Sequence, residues 1–307
     1  MDSSNTSTAN NTALHFIQWN AHAVSLLEKG NLDDSIHTFR NTLTQLRSFL
    51  AENTRDELSV VAEHKNMLMM TSCPLMEASF HQDHDMKDDH YDDGISEFGG
   101  CDADDLDHSL PLLESISILL PYHAKALFPD NLLSFYPRAF GLTENHALNT
   151  QAPLQDCYAH HLVVLLYNMG LAHQLEAVRP CPKSSQQDQQ QRYHALLQQA
   201  LTLYKAALEI TDNYWTEQDM EDFPTLLTAI VNNMGYIHSE VLDFEHARHC
   251  IRLVVDLVTG GANCADGLLS CQNTAIPEAD QEFFFESIFT YLGTGGSDRV
   301  LSLAPAA

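Results

Sequence analysis

Apolar residues fall at helical spacing through residues 14–50, and the run is interrupted once, at the stretch GNLDD of residues 30–34. Glycine supplies the left-handed backbone that ends many helices, and an acidic residue suits the start of the next. The pattern predicts a helix pair, with Gly30 closing the first member and Asp33 or Asp34 capping the second. Residues 52–70 extend the pair by one further helix, with Asn53 or Thr54 at its cap. Ahead of it, the polar residues 1–11 are expected to be disordered, so the N-terminal helical unit is placed at 12–72.

The C-terminal half repeats the helical spacing over 156–178, 191–210, 224–240, 244–258 and 279–292. Its breaks have local causes. Two prolines and a polar run follow 178. Pro224, preceded by Glu221 and Asp222, suits the first turn of a helix. Gly260 and Gly261 stop the fourth helix. Between the halves, residues 115–142 are apolar but carry Pro121, Pro129 and Pro137. Prolines oppose a long helix, so this part reads as a short hairpin or an extended crossing segment, with helix as the alternative. These patterns divide the chain into 1–11, 12–72, an acidic loop at 73–110, an irregular or hairpin segment at 111–150, a helical array at 151–292 and a flexible tail at 293–307.

A self-similar device recurs within the helical pattern. Asn-Met-Gly occurs at 168–170 and again at 233–235, and His173 and His238 each stand three residues after the glycine. A glycine inside a helix costs about 1 kcal/mol relative to alanine, so packing must offset it. Gly235 facing Ala247, Gly170 facing Ala200 and Ala23 facing Ser35 would each let two antiparallel helices approach closely. Large neighbours then bury at about 1.5 to 3 kcal/mol each.

The frame resembles the tetratricopeptide repeat, with its helix A of W-x2-L-G-x2-Y type and its helix B of A-x3-F-x2-A type. Trp19, Ala23, Leu26, Ser35 and Phe39 match a first unit. Met169, Gly170, Ala200, Tyr204 and Ala207 match a second, and Met234, Gly235, Phe244, Ala247 and Ile251 a third. The chain departs from that pattern in three respects. Leu26, His173 and His238 stand where a tyrosine is usual, the closing proline is missing, and the second unit carries an insertion between its helices. The resemblance implies a mainly α fold, with antiparallel helix pairs in a short α-α superhelix. It also implies a groove lined by the A helices that binds a protein or peptide. The inner residues would be Ile17, Asn20 and Val24, then Tyr167, Asn168 and Leu171, then Asn232, Asn233 and Tyr236. Asparagine amides pair with the backbone of an extended ligand, and tyrosines pack against its side chains. The competing expectation is that these residues contact the chain's own insertions or its 115–142 segment, so that the groove is covered. The lysines and arginines of the carboxylate-clamp members of the family are missing, which disfavours an acidic tail as ligand.

Composition narrows the partners. Fifteen Lys plus Arg stand against 42 Asp plus Glu, a formal charge of -27. Counterion release from a phosphate backbone is then no major source of affinity, so neither nucleic acid nor an anionic membrane surface is an expected partner. Seven scattered cysteines without a CxxC pair suggest reduced thiols. The start of the chain lacks the features of a secretory or organelle leader, and no apolar run reaches membrane-spanning length. The expected location is cytoplasmic or nuclear.

Candidate chemistry adds little. No nucleophile elbow, phosphate loop, HExxH or dinucleotide fingerprint occurs, so the reading is non-enzymatic, with no cofactor and no assigned metal. The acidic run 81–108 includes Asp83, Asp85, Asp88, Asp89, Asp92, Asp93 and Glu97, with His84 and His90 among them. With Gly94 at the sixth position of an EF-hand loop, Tyr91 and Gly100 fall where oxygen ligands are needed, so the loop is read as solvated rather than calcium-binding. His246, His249 and Cys250 lie on one helix without a fourth ligand at a recognisable distance. His173 and His238 read as interior, hydrogen-bonded histidines. Phe283, Phe284, Phe285, Ile288 and Phe289 mark the last helix as a cap on the array, with self-association as the alternative. The leading function is a protein- or peptide-binding scaffold or adaptor; the alternative is a metal-responsive or metal-dependent protein using the His and Asp clusters. The oligomeric state is left open.

Overall fold

The computed structural model describes residues 3–53, 113–117, 135–143, 154–179, 185–259 and 276–291. Of the helix expected at 52–70, residues 52 and 53 are described and end the second helix, so Asn53 is helical rather than a cap there; residues 54–70, the acidic loop and the tail at 293–307 lie outside the described residues. The fold is mainly helical. Eight helices are described: α1 (Ser3–Glu28), α2 (Leu32–Asn53), α3 (Leu154–Val178), α4 (Gln186–Tyr214), α5 (Glu217–Asp222), α6 (Pro224–Glu240), α7 (Phe244–Thr259) and α8 (Glu278–Tyr291). Two strands, β1 (Leu113–Ser117) and β2 (Arg138–Leu142), pair antiparallel with Leu113 opposite Leu142 and Ser117 opposite Arg138.

Helix α1 starts at Ser3, which corrects the expectation of a disordered segment up to residue 11. Once its apolar face at Phe16, Ile17, Ala23, Val24 and Leu27 is buried, each added residue gains a backbone hydrogen bond without a new nucleation cost.

Gly30 closes α1 as its sequence position implies. Its φ is 74°, and the amides of Gly30 and Asn31 bond back to the carbonyls of Leu27 and Leu26 at 2.9 Å each. Asp33 and Asp34, expected as caps, instead lie inside the first turn of α2, because the first helical acceptor is the carbonyl of Asn31, bonded by Ser35 N–H at 3.0 Å. There they face the positive end of the helix dipole. The α6–α7 turn has the same form. Leu242 takes the left-handed position with φ 64°, and Asp243 N–H bonds His238 C=O at 2.8 Å. Pro224 stands in the first turn of α6, and Thr216 with Asp219 forms a reciprocal cap on the short helix α5. That helix falls within a stretch the spacing treats as a break.

Consecutive helices form the pairs α1/α2, α3/α4 and α6/α7; α2 packs on α3, α4 on α6, and α8 closes on α7. The close approaches differ from one pair to the next. In the first, Ser35 Oγ donates to the carbonyl of Ala23 at 2.8 Å. In the second, Gly170 makes room for Tyr204: a Cβ on Gly170 would lie 2.6 Å from the Tyr204 ring. In the third, Gly235 lines a small gap shared with Cys250, Ile251 and Val254 of α7 and with Ser287 and Ile288 of α8. Helix α8 buries Phe284 and Ile288 and leaves Phe289 exposed, in keeping with a capping helix.

Candidate functional site: an asparagine groove and its strand

Helices α1, α3 and α6 present three asparagines toward one extended segment, residues 135–142. Asn168 takes both backbone polar groups of Phe140: Oδ1 accepts its N–H at 2.9 Å and Nδ2 donates to its carbonyl at 2.7 Å. Asn20 Nδ2 donates to the same carbonyl at 2.9 Å, and Asn168 Nδ2 also donates to Asn20 Oδ1 at 2.9 Å. One turn pair away, Asn233 repeats the motif on Tyr136. Its Oδ1 accepts the Tyr136 N–H at 2.6 Å and its Nδ2 donates to the Tyr136 carbonyl at 3.3 Å. All three asparagines are buried, and a buried amide without these partners would carry a desolvation cost.

The remaining side chains of the segment are held just as specifically. Tyr167 donates to the carbonyl of Arg138 at 3.0 Å, and its ring meets Phe140 edge-on at 5.1 Å. Burial, reinforced by Tyr204 and Tyr136, raises the Tyr167 phenol well above its ordinary value, so it remains a neutral donor. Tyr236 packs edge-on against Phe135 at 5.1 Å. The Tyr136 ring stacks on Phe284 at 5.0 Å, while its hydroxyl donates to Asp280 at 2.8 Å. Arg138 closes the cluster with an ion pair to the buried Asp280 at 2.7 Å.

Of the residues assigned to the groove, Asn20, Tyr167, Asn168, Asn233 and Tyr236 meet this segment. Asn232 turns instead to α8 and accepts from Ser287 Oγ at 3.0 Å. Ile17, Val24 and Leu171 are buried in the core. The expectation that the chain covers its own groove is therefore the one realised. The spacing of α-helical positions gives no sign of Asp280, which reaches the site from the last helix through a ring and a guanidinium that lie elsewhere in the chain.

A second cluster lies at the α6–α7 turn. His238 Nδ1 is 3.0 Å from Asp243 Oδ2, and His246 Nδ1 is 2.8 Å from the same oxygen. The two imidazoles stack at 5.0 Å with planes 20° apart. Burial pulls His238 below its ordinary value against the opposing charge of Asp243. Burial raises Asp243, but the hydrogen bonds and charge of His246, with the charge of His238, outweigh it and hold the carboxyl low. His246 thus pairs across the turn rather than with His249 and Cys250 along its own helix. Burial pushes the Cys250 thiol up to about 11, which disfavours a thiolate ligand. His173, the counterpart of His238 in the second unit, is buried without a described partner for Nδ1; burial, aided by Arg40, lowers it to about 4.

No helix among the described residues is long and apolar enough to cross a membrane. Comparison with protein-family models, curated proteins and solved structures finds no match to this chain.

Proposed function

We propose that this protein is a non-enzymatic protein- or peptide-binding adaptor of divergent tetratricopeptide type, working in the cytoplasm or nucleus. Its groove is built to read an extended main chain and is held by its own residues 135–142 until a partner segment replaces them. The observation that supports this reading is the two-point pairing of Asn168 with Phe140 and of Asn233 with Tyr136. An asparagine that satisfies both polar groups of one residue recognises backbone irrespective of sequence, as in main-chain recognition of an added strand. Specificity then comes from aromatic side chains four residues apart and from a cation that reaches Asp280.

A tethered segment competes at an effective concentration in the millimolar range, so a partner must bind tightly or the tether must first be loosened. The test uses a labelled peptide with the sequence SFYPRAFGLT of residues 134–143 and the full-length chain. The expected result is weak binding to the wild type and tighter binding to Tyr136→Ala/Phe140→Ala, lost again when Asn168→Ala is added. A folded double variant that ignores the peptide overturns the proposal.

A further inference from the structure

We propose that His238, Asp243 and His246 form a binding site for one divalent transition ion of the zinc class. The site is independent of the groove. Its ligand atoms come from both sides of a tight turn: His238 from the last turn of α6, Asp243 from the turn itself, His246 from the first turn of α7. All three lie within 4.8 Å of one another. The left-handed Leu242 and the Asp243 N–H to His238 C=O bond fix the backbone spacing between the first two.

The donor set suits such an ion. Two neutral imidazoles and one carboxylate are ligands for zinc and its first-row neighbours. Bonds of about 2.0 to 2.2 Å place tetrahedral ligand atoms about 3.3 Å apart. The two contacts to Asp243 Oδ2, at 2.8 and 3.0 Å, need open by only a few tenths of an ångström to admit the ion. Capping alone does not call for this convergence. Asp243 caps α7 through Oδ1, which accepts His246 N–H at 3.4 Å, while both imidazole nitrogens also meet at Oδ2. The His246 side chain is 65% exposed and that of Asp243 35%, so the ion has an open approach and a position left for water. The net charge of -27 raises the local concentration of cations.

The probe is zinc alone, titrated into the chelator-treated full-length chain by calorimetry, with thermal unfolding in parallel. The expected result is one ion per chain and a thermal midpoint raised by zinc. His246→Ala and Asp243→Asn, which retains a capping acceptor, should each weaken binding at least about tenfold and abolish the zinc-dependent shift, while His249→Ala leaves both intact. Absence of stoichiometric binding overturns the proposal. So does binding that survives both ligand substitutions, because the ion then sits on other histidines.

Discussion

Asn168 and Phe140 form a closed two-point contact, with the asparagine amide accepting the backbone N–H at 2.9 Å and donating to the carbonyl at 2.7 Å. Replacing Asn168 with alanine leaves two buried backbone groups short of partners, each costing about 1 to 3 kcal/mol, although Asn20 still reaches the carbonyl. The expected loss is about 2 to 4 kcal/mol by urea denaturation. Asn168→Asp, which keeps the shape but not the donor, should lose a comparable amount. A midpoint unmoved by either substitution removes the contact from the fold's support.

Gly170→Ala tests the close approach of α3 and α4. Alanine gains about 1 kcal/mol in helix propensity, but its Cβ would fall 2.6 Å from Cε1 and 2.9 Å from Cζ of Tyr204. That ring is fully buried and tethered through its hydroxyl to Gln174 and Asn233, so it has nowhere to move. Overpacking should prevail and destabilise the chain by about 1 to 3 kcal/mol net, read as a lower urea midpoint.

Leu242→Gly should act in the other direction. A leucine at φ 64° pays about 1 to 2 kcal/mol for the left-handed conformation, and its side chain is 72% exposed, so little burial is lost with it. The expected gain is about 1 kcal/mol, seen as a raised thermal midpoint. An unchanged or lowered midpoint would mean the leucine has a packing role that its exposure conceals.

His173 predicts a pH dependence. Its folded value of about 4 lies below the unfolded value of about 6.5, so the unfolded chain binds the extra proton first. The contribution is fully present above about pH 6.5 and is lost as pH falls toward 4, at up to about 1.4 kcal/mol per pH unit. His173→Leu should flatten the decline over that window in urea midpoints taken at successive pH values. Parallel wild-type and variant curves would show that the burial of His173 does not govern it.

The helical content was legible because burial and periodicity coincide: the spacing at 224–240 and 244–258 matches α6 and nearly matches α7. The groove positions come from the same periodicity: the repeat frame puts Asn168 and Asn233 at one equivalent place, two residues before Gly170 and Gly235, and Asn20 three residues before Ala23. What occupied the groove was not decided by that frame, because an asparagine amide pairs equally well with a foreign strand or with the chain's own. The contact of Gly170 with Tyr204 has no signal in the sequence, where small residues stand out but an aromatic ring against a glycine leaves no periodic trace. The turn cluster gives no signal along the helix of His246 alone. Its partners lie three residues back and eight residues back, across a reversal that only the left-handed Leu242 creates.

Stacked helix pairs that touch only their neighbours tend to melt in stages, one pair at a time. The segment at 135–142 changes this, because it ties Asn20 to a residue 120 positions away and Tyr136 to Asp280 a further 144 along. Its seating links the first, middle and last pairs in one event, so loss of any one exposes polar groups on the others. The array should therefore behave as a single cooperative unit, slower to assemble than its local helices would imply.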